Sequence, residues 1–129
     1  MEPVFIVILV ALLEYTVFAA LVGRARRQHG IKPPATVGHP VFERVYRVQQ
    51  NTLETLIVFI PAIWIFGLHV SPHIGAGLGV VFVVARAVYA AGYISAAEKR
   101  SIGAVLTGLT NGVLVLWGLI ALLLDVIRT

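Results

Sequence analysis

Residues 42–61 read FERVYRVQQNTLETLIVFIP, a charged and amide-rich half running straight into an apolar one. From Thr55 to Leu68 there are only 14 uncharged, mostly apolar residues, fewer than the ~20 a helix needs to cross a hydrocarbon core. The segment spans a membrane only if the turns from Phe42 to Glu54 belong to the same helix and turn their polar face into the protein. At ~100° per residue, Arg47, Asn51 and Glu54 stand within roughly 60° of one another on one face. Charged groups at membrane depth are costly unless paired or wetted, so they are read as functional. Such a face suits a small zwitterionic ligand of net negative charge, held between packed helices. Pro61 removes one backbone hydrogen bond from the apolar half and predicts a kink there.

Composition agrees with a membrane protein. The chain has 129 residues, one domain (1–129) by length. It is 59% hydrophobic with only 12% charged residues, and its mean hydropathy is +0.94, too apolar for a soluble domain of this size. With no cysteine, a disulfide framework and a thiolate metal site are both excluded, so any sulfur chemistry arrives with a ligand. The net charge of +4 is bunched between apolar spans, which is topology information and not the exposed basic face of a nucleic-acid binder.

A first span is predicted from Pro3 to Val22, interrupted by Glu14. Its acidic start lacks the basic region and cleavage site of a signal peptide, so it is expected to be retained. Residues Gly23 to Pro34 read as a basic loop, and Pro40 suits the first turn of helix two. Ser71-Pro72-His73 opens a third helix reaching Ala96, in which Gly75, Gly77 and Gly79 offer close helix contact. Ala97 to Arg100 reads as a loop, with Ser101 as the N-cap of a fourth span ending near Ile127. Four Lys/Arg between Arg24 and Lys32, with Lys99 and Arg100, place both basic connections in the cytoplasm and both termini opposite.

Helix three repeats the device of helix two. Arg86, Tyr89 and Tyr93 are spaced i, i+3, i+7, and Arg100 continues that stripe at the boundary. Arginines clamp carboxylates through two parallel hydrogen bonds, Glu54 can take an ammonium, and Asn51 and the tyrosines can satisfy remaining polar atoms. From spacing alone, the same residues could equally be an internal network with Glu54 paired to Arg86. Tyr89 and Tyr93 alone would read as interfacial aromatics. Glu14 could bond a neighbouring helix, with Asn111 as its partner. His69 and His73 have no third ligand nearby, so no metal site is expected.

The run Arg47-x-x-Gln50-Asn51-Thr52-Leu53-Glu54 resembles the hallmark of the MAPEG family, the membrane-associated proteins of eicosanoid and glutathione metabolism. Phe42 to Arg47 is similar to its leukotriene C-forming members. The run Ser71 to Gly79, followed by Arg86, Tyr89, Tyr93 and Lys99-Arg100, is similar to its microsomal glutathione S-transferases. The resemblance implies an all-α, four-helix transmembrane bundle assembled as a homotrimer, with glutathione as co-substrate in cytoplasm-facing crevices between protomers. It implies that Arg47, Asn51, Glu54, Arg86, Tyr89 and Tyr93 bind glutathione, that Arg26 and Gln49 complete the pocket from an adjacent protomer, and that Arg100 is catalytic beside the sulfur. The expected activity is conjugation of glutathione to lipophilic electrophiles from the bilayer, with peroxidase activity as a companion. Short termini lean toward a bacterial inner membrane.

The chain departs from many relatives in having Thr55-Leu56-Ile57 where they carry Tyr-x-Pro after the glutamate, and Gln49 where some have His. Neither change removes a charge. Two rival readings stand beside the enzyme: a lipid-binding member that does not use glutathione, and a small multidrug exporter built on Glu14. Interior arginines, which repel cationic drugs, count against the exporter.

Overall fold

The computed structural model describes residues 1–129 as four long helices and one short turn of 3₁₀ helix. Helix α1 is Glu2–His29, α2 Pro40–His69, α3 Pro72–Ser95 and α4 Ser101–Arg128, with the 3₁₀ turn at Ala97–Arg100. All four are long and apolar enough to cross a membrane, which makes this an integral, multi-pass membrane protein. The α2–α3 pair sits centrally, with α1 and α4 each packed on both of its members.

Helix α2 is continuous from Pro40 through Pro61 to His69, as its short apolar half demanded. It starts where His39 Nδ1 accepts from the Val41 N–H, with Pro40 at its first position. Ser71 caps α3 in the same way, accepting from the Ile74 N–H at 3.2 Å. Two boundaries differ from expectation. Helix α1 does not stop at Gly23 but runs through the basic residues to His29, ending at Gly30, whose φ of 66° suits a residue without a Cβ. Ser101 caps nothing: it is already helical, because the 3₁₀ turn feeds α4 directly.

The core is layered along the bundle. Away from the basic end, Val4, Val7 and Ala11 of α1 meet Leu56, Phe59, Ile63 and Phe66 of α2, Phe82 of α3 and Leu114 of α4. Phe59 and Phe82 stack with ring centroids 3.9 Å apart. At the basic end, Val22, Ala25, Ile31, Phe42 and Val45 form a second cluster. A polar layer of Asn51, Thr52, Arg86, Thr107 and Asn111 separates the two. Lipid is as apolar as these side chains, so close fit and hydrogen bonds, not transfer from water, hold such helices together. Close fit is visible at Gly79, where a Cβ would strike Val7 and Ile63, and at Gly103, where it would strike the Tyr89 backbone. Gly75 also packs inward, against Phe66, whereas Gly77 of the same run faces outward with nothing near it.

Candidate functional site

Arg47 and Glu54 sit two turns apart on α2 and join in an ion pair, Nη1 to Oε1 at 3.0 Å. Their side chains remain 48% and 57% exposed in the isolated chain. Glu54 lies about 21 Å along a helix that begins at Pro40, near its midpoint. The alternative pairing of Glu54 with Arg86 is not what the structure shows.

Arg86 instead occupies the polar layer, with no exposure at all. Its Nη2 donates to Asn51 Oδ1 at 2.7 Å and to Thr52 Oγ1 at 2.9 Å, its Nε also to Thr52 at 3.2 Å, and its Nη1 to Thr107 Oγ1 at 3.3 Å. One guanidinium thereby ties α2, α3 and α4, and within the chain it does not open onto the Arg47–Glu54 face. The Tyr89 ring covers it, centroid 4.2 Å from Cζ, and is itself buried. Tyr93 follows at 5.5 Å from Tyr89, and Arg100 Cζ lies 5.7 Å from the Tyr93 ring. The stripe read from spacing is therefore a physical column, Arg86–Tyr89–Tyr93–Arg100, rising from the buried layer to an exposed rim. Arg100 is held there by Nη1 donating to the Ala97 carbonyl at 2.9 Å, a bond the 3₁₀ turn creates.

Gln49 and Arg26 lie apart from this face. Gln49 points to α1, its Nε2 donating weakly to Tyr15 Oη at 3.5 Å. About 200° of helix rotation separates it from Arg47. Arg26 donates to the Ala35 carbonyl at 2.7 Å and lies 4.9 Å over the Phe42 ring, which steadies the α1–α2 connection. Arg44, on the charged half of α2, ties that helix to the end of α3 by donating to the Ile94 carbonyl at 3.1 Å. Thr52 and Thr107 carry no charge to mark a role in the sequence, although a threonine inside an apolar span is itself a hint of a buried polar partner. The expected Glu14–Asn111 partnership is absent. Asn111 Nδ2 donates to the Thr55 carbonyl at 3.2 Å, while its Oδ1 and Glu14 Oε1 are both buried without partners.

The sequence profile described as the MAPEG family matches residues 4–120. The chain belongs to the MAPEG family. An uncharacterized protein of Synechocystis is 46% identical over 121 residues, covering 94% of this chain and 88% of that one. Mouse microsomal glutathione S-transferase 2 is 43% identical over 110 residues, covering 85% of this chain and 73% of the enzyme. Guinea-pig (Cavia porcellus) leukotriene C4 synthase is 37% identical over 116 residues, covering 90% and 74% respectively. A glutathione-related transferase activity is thus supported at the level of the family.

Proposed function

We propose that this MAPEG protein is a membrane-embedded glutathione transferase with peroxidase activity as a companion, working as a homotrimer whose sites lie between protomers. The observation that carries the reading is the Arg47–Glu54 pair, half exposed at mid-helix depth. Charges there do not face lipid, so a neighbouring chain and a polar ligand must cover them. In this reading Gln49 comes from a different protomer than Arg47, because it stands on the opposite side of α2.

Glutathione carries two carboxylates, one ammonium and a thiol. Arg47, with Arg26 of a neighbouring copy, takes carboxylates; Glu54 takes the ammonium; Asn51, Gln49, Tyr89 and Tyr93 bond or flank the peptide; Arg86 acts from beneath. At the rim, Arg100 is the catalytic residue, positioned beside the sulfur. A thiol of pKa ~8.5 is only a few per cent thiolate at pH 7, and an adjacent cation raises that fraction. The thiolate then attacks an electrophilic carbon of a lipophilic molecule dissolved in the bilayer. A C–S bond forms, and either a leaving group departs with the bonding electrons or an epoxide opens to an alkoxide that takes a proton. In this reading the basic ends and the site face the cytoplasm, in a bacterial inner membrane.

Purified protein in lipid discs tests this directly. The expected results are a measurable heat on titration with glutathione, conjugation of glutathione to a dinitrohalobenzene, and a trimer mass. No heat or competition at millimolar glutathione overturns the reading.

A further inference from the structure

Asn51 is oriented by a residue that never reaches the open face. Arg86 Nη2 donates to Asn51 Oδ1 at 2.7 Å. A guanidinium carries donors only, so the amide atom turned toward it has to be the oxygen. The nitrogen is consequently turned away. Nδ2 makes no hydrogen bond within the chain and is not fully buried, and Asn51 shares its side of α2 with Arg47 and Glu54.

The guanidinium itself is held from several sides. Thr52 Oγ1 accepts from Nε and Nη2, and the Tyr89 ring lies across it. Thr107 donates its own hydroxyl proton to the Gly103 carbonyl at 2.7 Å, which leaves its lone pairs for Arg86 Nη1. Rotating the Asn51 amide by half a turn would set Nδ2 against a cation with no acceptor.

We infer that Arg86 is a positioning residue that locks Asn51 as a hydrogen-bond donor toward the crevice, so that the site demands an acceptor, a carboxylate or peptide carbonyl, at that point of the ligand. A free asparagine would offer nitrogen or oxygen with similar ease; this one offers nitrogen only. A ligand presenting a donor there leaves two donors facing each other, a mismatch that lowers affinity by about 10- to 100-fold. The inference rests on the glutathione reading above.

A double-mutant cycle on the full chain in lipid discs, read as the glutathione dissociation constant, tests it. Asn51→Ala is expected to weaken binding about 10-fold, the size of one hydrogen bond to a charged group. Arg86→Lys keeps a cation but loses the rigid fork. It should weaken binding about 5-fold or more in the native background and less than about 2-fold in the Asn51→Ala background. If Arg86→Lys does not fold, Thr107→Val removes one acceptor of the fork with the cation still in place, and the same cycle applies. Asn51→Asp provides a separate readout. Its carboxylate still satisfies Arg86, so thermal stability should hold or rise, while glutathione affinity falls by at least about 10-fold because the outward atom has become an acceptor. Additive effects in the cycle, or an Asn51→Asp protein that binds glutathione as the native chain does, overturn the inference. Failure of the native chain to bind glutathione overturns the proposed function itself, and shows before any variant is made.

Discussion

Gly103→Ala tests whether the α3–α4 crossing sets the position of Arg100 relative to Tyr93. A Cβ on Gly103 would stand 2.5 Å from Tyr89 Cα and equally close to its Cβ, against ~3.5–4.0 Å for an ordinary carbon contact. The obstacle is mainly backbone, so the start of α4 has to move off α3 by about 1 Å. Arg100 lies three residues before Gly103 and travels with it, away from the Tyr93 ring that it now faces at 5.7 Å. Overpacking of this kind costs about 1–3 kcal/mol, and a 1 Å misplacement at a reacting centre can lower a rate by ~100-fold. The expected outcome is a lower unfolding midpoint and a kcat for dinitrohalobenzene conjugation reduced about 10- to 100-fold, with KM for glutathione less affected. Gly108→Ala is the control, since a Cβ there meets nothing within 4 Å. Equal stability and equal kcat in the two variants would refute the reasoning.

Arg47→Ala and Glu54→Gln each remove one half of the ion pair at the proposed site, and each should weaken glutathione binding about 10-fold or more, measured by titration. Arg100→Ala should move the rise of conjugation rate with pH upward, toward the free thiol value of ~8.5. The sign follows from the cation favouring the thiolate: its loss raises the thiol pKa and removes rate at neutral pH, and an unshifted profile excludes Arg100 from activation. Asn111→Leu loses the bond to Thr55 but also abolishes a buried acceptor without a partner, so the net change should stay within about 1 kcal/mol in denaturant unfolding, with glutathione affinity unchanged.

The continuity of α2 was legible because length left no alternative: 14 apolar residues do not cross a membrane, so the polar turns had to be helical. Helical spacing likewise placed Arg86, Tyr89 and Tyr93 in one column, which the ring contacts bear out, whereas Arg100 joins it by way of the 3₁₀ turn after α3 has ended. Less legible was which partner each charge takes. Glu54 meets Arg47 two turns away on its own helix, a reach that depends on side-chain length. Arg86 is satisfied by neutral oxygens of Asn51, Thr52 and Thr107, which carry no charge signal. The end of α1 is hidden in the sequence because Gly23 looks like a breaker. In the structure it is an ordinary helical position, while Gly30 adopts the positive φ that ends the helix. Gln49 illustrates a different limit: rotation along α2 shows that it faces away from Arg47, but only the fold shows that α1, with Tyr15, stands on that side.

The three-way tie around Arg86 has a consequence for how the protein is made. During synthesis, α3 enters the bilayer carrying a bare guanidinium, an insertion penalty of about 2.5–3.5 kcal/mol near the middle of a span. Asn51 and Thr52 precede it in the chain and stand ready to receive it, but Thr107 emerges only afterwards. A ribosome halted before α4 would therefore leave a nascent hairpin with its arginine partly matched, and translation of the last helix would complete the lock.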